Sequence, residues 1–72
     1  MTYYESSDNM ISTIANGAFR NFTNLESIEL PQNVNGVTIE ANAFYGCENL
    51  QTAYNMEYAY KVYPGAFRDT PL

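Results

Sequence analysis

ISTIANGAFRNFTNLESIELP, Ile11 to Pro31, carries Ile14, Phe19, Phe22, Leu25, Ile28 and Leu30 at successive spacings of 5, 3, 3, 3 and 2. A helix repeats every 3.6 residues and a strand every 2, so no single element explains the run. Its last part alternates, with Ile28 and Leu30 on one face and Ser27 and Glu29 on the other, as in a half-buried strand. Pro31 cannot donate to a ladder and closes that strand. The middle part places Ala18, Phe22 and Leu25 at i, i+4 and i+7, with Phe19 beside Ala18 on the inward side. That spacing predicts one or two turns of α- or 3₁₀-helix, too short to persist without packing.

The run returns twice. NGAF, ANAF and PGAF end at Phe19, Phe44 and Phe67, so the period is 25 residues and then 23. Five residues before each phenylalanine stands Ile14, Ile39 or Val62, and three after it stands Phe22, Cys47 or Thr70. Leu25 and Leu50 follow at six, Ile28 and Ala53 at nine. Agreement at several independent offsets marks a structural repeat rather than a recurring dipeptide. GVTIE (Gly36–Glu40), with Val37 and Ile39 on one face, predicts a second strand. YKVYP (Tyr60–Pro64) is its copy, with Tyr60 in the inward place of Val37 and Pro64 as its stop. Each unit reads strand, short helical turn, strand. None can bury its apolar face alone, so the units must stack.

The pattern I-x₄-AF-x₂-C-x₂-L-x₂-I-x-LP resembles the BspA-like class of leucine-rich repeats, over Ile11 to Leu72. Unit one has Phe22 where that class has Cys. Unit two supplies Cys47 there and then departs, with Ala53 in place of Ile and Tyr54–Met56 in place of x-LP. The resemblance implies an α+β repeat fold: a short leucine-rich-repeat solenoid of short strands with brief helical or 3₁₀ turns. The units fall at about 11–33, 34–58 and an incomplete 59–72, after an N-terminal arm or cap over 1–10. It also implies a binding scaffold of the kind found on cell surfaces in adhesion or partner recognition, hence an extracellular or surface location.

Composition narrows the function. A chain of 72 residues is one small domain, and at this size folding buries only about 60% of the unfolded surface. Hydrophobic residues at 46% place it with folded chains. The net charge of −5, with Arg20, Lys61 and Arg68 as the only cations, argues against nucleic acid and anionic membrane surfaces. No stretch has the length of a transmembrane helix, and MTYYESSDNM lacks the basic and apolar regions of a signal peptide. Cys47 is the only cysteine, so no intramolecular disulfide forms, and it is expected in the core.

Chemistry-bearing motifs are missing. There is no histidine, the commonest general base. The eight acids form no calcium loop, and the four glycines are isolated turn residues rather than a phosphate cradle. No catalytic residue, metal site or cofactor is expected, and the chain does not read as an enzyme. Asn21–Thr23 fits a glycosylation sequon, with Phe22 inside it expected in the core.

The reading is a non-catalytic protein–protein interaction module. Its candidate contact residues are the outward positions on the strand after each leucine: Ser27, Glu29, Thr52 and Tyr54. Tyr58 and Tyr63, in the tyrosine-rich QTAYNMEYAYKVYP, come next, since tyrosine is enriched in interface cores. Glu26 and Glu29 favour a basic partner. The alternative is a structural subunit packing edge to edge in a multi-chain assembly, such as a phage or viral particle or a surface layer. Repeat arrays need several units and polar caps, so a homo-oligomer or a place in a larger assembly is expected.

Overall fold

Six short strands, each parallel to its neighbours, form two three-stranded sheets in the computed structural model, which describes Tyr3–Glu5 and residues 12–72. Strands β1 (Tyr3–Glu5), β3 (Ser27–Glu29) and β5 (Thr52–Tyr54) make the first sheet, in that order. Strands β2 (Thr13–Ile14), β4 (Val37–Ile39) and β6 (Ala59–Val62) make the second. The chain visits the two sheets alternately, and a turn follows each visit to the second. One such circuit is a coil, and the described residues make three: 3–5 with 12–25, then 27–50, then 52–72. Within the stretch expected to be an arm or cap, Tyr3–Glu5 pairs with β3, Tyr3 opposite Ser27. The remainder of that stretch lies outside the described residues.

Stacking puts equivalent residues in columns. Ser27 lies opposite Thr52, Ile28 opposite Ala53 and Glu29 opposite Tyr54. Ile14 lies opposite Ile39, and Ile39 opposite Val62. The core between the sheets and the turns holds Ile14, Leu25, Ile28, Leu30, Val37, Ile39, Ala43, Phe44, Cys47, Leu50 and Ala66. Ile28, at the middle of β3, is buried between the half-buried Ser27 and Glu29, the alternation of a strand with one face inward.

The phenylalanines form the most regular column. Phe19 and Phe44 stack with ring centroids 5.2 Å apart and planes within 2°, and Phe44 and Phe67 at 5.2 Å and 5°. Each offset stack contributes about 0.5–1.5 kcal/mol beyond the area it buries. Backbone bonds tie the turns together beside the rings. Phe19 N–H donates to Ala43 O at 2.8 Å and Asn21 N–H to Tyr45 O at 2.7 Å. One coil on, Phe44 N–H donates to Ala66 O at 2.8 Å and Gly46 N–H to Arg68 O at 3.0 Å.

These turns are not helical, which corrects the α component of the expected α+β class. Two residues in every turn, two before and two after the phenylalanine, adopt left-handed backbone: Gly17 and Asn21, Asn42 and Gly46, Gly65 and Asp69. A right-handed helix cannot pass through such residues. The segment instead runs as consecutive tight turns closed by Ala18 N–H to Ala15 O, Arg20 N–H to Gly17 O and Phe22 N–H to Phe19 O. The one helix among the described residues is a single 3₁₀ turn, Met56–Tyr58. It follows β5, where the second unit loses its proline.

Three further expectations are corrected. Phe22 is not core: it is 39% exposed and meets Phe19 edge-on at 5.6 Å, at the rim of the column. Ala18 is exposed too, whereas its equivalents Ala43 and Ala66 are buried. Tyr60 does not point inward. Ala59 takes the place opposite Val37 and Lys61 that opposite Thr38, so Tyr60 is the extra residue of a bulge and stands 77% exposed. Its Cβ and ring base lie over Gly36, where a side chain would not fit.

Candidate functional site

The outward residues of β3 and β5 come together by register. Ser27 and Thr52 are neighbours across the strands, as are Glu29 and Tyr54, so the four form a two-by-two patch on one face of the first sheet. Tyr54 is 52% exposed, while Ser27, Glu29 and Thr52 are half-buried. Glu29 is engaged as well as outward: the Asn55 side-chain amide donates to its Oε2 at 3.3 Å and to Leu30 O at 3.2 Å. Asn55 does this from left-handed backbone, φ 64°, and so turns the chain sharply out of β5.

Tyr58 and Tyr63 do not join this patch. Tyr58 is half-buried in the 3₁₀ turn, and Tyr63 follows β6 in the second sheet. Tyr63 receives the Lys61 ammonium over its ring at 4.6 Å. It also lines an open cleft of about 200 Å³ with Asn16, Glu40 and Ala41. Glu40 Oε1 accepts the Asn16 N–H there at 3.0 Å, so the carboxylate serves the backbone of the neighbouring coil. The cleft is smaller than the roughly 300–1,000 Å³ of small-molecule sites.

Sequence reasoning missed two exposed features. One is Tyr60, concealed by the bulge. The other is the pairing of Arg20 with Tyr45, whose ring lies 4.9 Å below the guanidinium and joins the first two turns on the outside. Arg20 and Tyr45 each directly follow a phenylalanine of the repeat, and that shared offset was the available signal.

Cys47 is fully buried, and its Sγ–H donates to Phe19 O at 3.0 Å. Burial pushes its pKa up, against a smaller lowering by the Phe22 backbone hydrogen bond. A protonated thiol locked under a carbonyl is a packing group rather than a nucleophile. Among the described residues no cluster of three or more His, Cys, Asp or Glu side chains could hold a metal ion. No helix among them is long and apolar enough to cross a membrane.

A family model described as the BspA type leucine-rich repeat region (6 copies) matches residues 2–72. No curated protein and no solved structure matches the chain. The matched span agrees with the columns: it contains both sheets and all three phenylalanine turns.

Proposed function

The chain belongs to the BspA-type leucine-rich repeat family, whose repeats suggest a protein-interaction module, and on that basis we propose that it binds a partner protein through the outward row of its first sheet. The coils read as a short solenoid, and the row Ser27, Thr52, Glu29, Tyr54 runs across them. The observation that carries the proposal is the Glu29–Tyr54 pair: an acid and an exposed aromatic side by side on a rigid, hydrogen-bonded face. Tyrosine supplies contact area at small entropic cost, and the carboxylate favours a basic partner. Tyr58 and Tyr63 would form a separate, secondary contact. A cell-surface or adhesion setting, and association with further copies, would fit such a module.

The test compares capture of a partner by the wild-type chain and by two variants. Tyr54→Ala removes the aromatic. Glu29→Gln removes the charge and keeps an acceptor for Asn55. Both should reduce capture of the same mass-spectrometrically identified partner while the circular dichroism spectrum is unchanged. Undiminished capture by both would remove this face as the binding site.

A further inference from the structure

One residue beyond the inward Ile14, Ile39 and Val62 stand Ala15, Glu40 and Tyr63, brought into a column by the pairing of the second sheet. Glu40 N–H donates to Ile14 O at 3.0 Å and Tyr63 N–H to Ile39 O at 2.9 Å. The next column is Asn16, Ala41 and Pro64. Alanine is the smallest of these, and the cleft of about 200 Å³ opens over it, walled by Asn16, Glu40 and Tyr63. Each of the three coils supplies part of the lining, so the cleft lies on the flank of the stack.

The lining favours positive charge. Glu40 is half-buried, and its Oε1 is held by Asn16 N–H at 3.0 Å, which fixes the carboxylate. Its Oε2 meets no donor among the described residues. The Tyr63 ring is 37% exposed and forms the facing wall, and the face of such a ring attracts cations. This ring already holds one, since Lys61 Nζ lies over it at 4.6 Å. Lys61 is exposed and makes no ion pair among the described residues, and its ammonium is well hydrated on a flexible stem. It can leave the ring at little cost. The cleft is too small for a whole small-molecule ligand and suits a single long side chain.

We propose that this cleft seats one arginine side chain of the partner protein, with the guanidinium stacked on Tyr63 and donating to Glu40 Oε2, and that Lys61 is a built-in competitor for the ring. Arginine is selected over lysine because its planar guanidinium stacks on an aromatic ring and is weakly hydrated, so an open cleft strips its water at lower cost. The proposal rests on the reading of Tyr63 as a secondary partner contact and gives that contact its chemistry. The Ser27–Tyr54 row lies on the other sheet, so the cleft can fail while the row still captures a partner, and the reverse.

The experiment titrates the ¹⁵N-labelled full chain, at constant ionic strength, with Nα-acetyl-arginine methylamide and with its citrulline and lysine counterparts. Citrulline has the same shape without the charge. The arginine compound should shift the Glu40, Ala41 and Tyr63 amides saturably at millimolar concentration. The other two should bind at least about threefold more weakly. Lys61→Met should tighten arginine binding by about threefold, the scale of one exposed cation–π contact. Arg20→Gln removes the same charge from a distant turn and should leave binding unchanged. Glu40→Gln keeps an acceptor for Asn16 N–H and should weaken binding about tenfold, the scale of one charge-assisted hydrogen bond. Absence of saturable shifts in both the wild type and Lys61→Met would overturn the proposal. So would equal binding of the citrulline or lysine compound, or an equal gain from Arg20→Gln, because general electrostatics would then account for the result.

Discussion

Asn21 and Gly46 occupy the same left-handed position in successive turns, and the Asn21 side chain fills the space in which a Cβ on Gly46 would stand. Their effects on stability must therefore be coupled. Asparagine tolerates left-handed backbone, so Gly46→Asn tests the collision with little added backbone strain. It should destabilise by about 1–3 kcal/mol, the range of an overpacked site. In an Asn21→Gly background the same substitution should cost less, by an interaction energy of at least about 0.5 kcal/mol. Urea denaturation of the four proteins measures the cycle, and additive costs would show that the two side chains do not meet.

The phenylalanine column is unequal along its length. Phe44 is fully buried between two rings, whereas Phe67 is half-buried with one ring neighbour. Phe44→Ala should cost about 3–5 kcal/mol, enough to unfold a domain of this size near room temperature. Phe67→Ala should cost clearly less and leave a cooperative thermal transition. Equal losses in the two variants would contradict the central position of Phe44.

Asn55 combines a backbone role and a side-chain role that substitution can separate. Asn55→Gly keeps the left-handed conformation and loses the bonds to Glu29 and Leu30, a cost of about 1 kcal/mol. Asn55→Ala loses both and should cost about 1–2 kcal/mol more. Thermal melts of the two variants give the order, and an alanine variant as stable as the glycine variant would show that the backbone strain is relieved elsewhere.

Cys47 should behave as a masked thiol. Its pKa is raised above the ordinary 9.0, chiefly by burial, so the folded state holds the proton more tightly than the unfolded chain. The stabilisation is full below the unfolded thiol pKa and is lost as pH rises from there through the folded value. Alkylation by iodoacetamide at mildly alkaline pH should be far slower than for a small free thiol, and denaturant should restore the rate. Rapid labelling of the folded chain would place Cys47 outside the core.

Much of this architecture was legible because stacking forces equivalent residues into columns, and columns appear in sequence as a repeated offset. The recurrence of Phe19, Phe44 and Phe67 and the opposition of Glu29 and Tyr54 both followed from that offset alone. The turns were misread because Ala18, Phe22 and Leu25 share a helical spacing by coincidence. The contrary signal was present in the Gly, Asn and Asp residues flanking each phenylalanine at two positions, which favour left-handed backbone. Tyr60 was misplaced because a period falling from 25 to 23 does not say where two residues were lost. The half-buried face of the first sheet could be foreseen, but not the amide of Asn55 bound to Glu29, since the turn that aims it depends on a single backbone angle.

The shortened third coil shows where this fold tolerates a change of length. Ile14, Ile39 and Val62 all lie five residues before their phenylalanine, and Ile28 and Ala53 lie nine residues after theirs. The distance from the first sheet to the second, by contrast, is 11 residues from Ile28 to Ile39 and 9 from Ala53 to Val62. All of the difference falls in one corner, where a single 3₁₀ turn and a bulge replace the stretch from Leu30 to Gly36. Insertions and deletions accumulating as such a chain diverges have one flank of the molecule open to them. The opposite flank, set by ring stacking and paired amides, holds its residue count fixed.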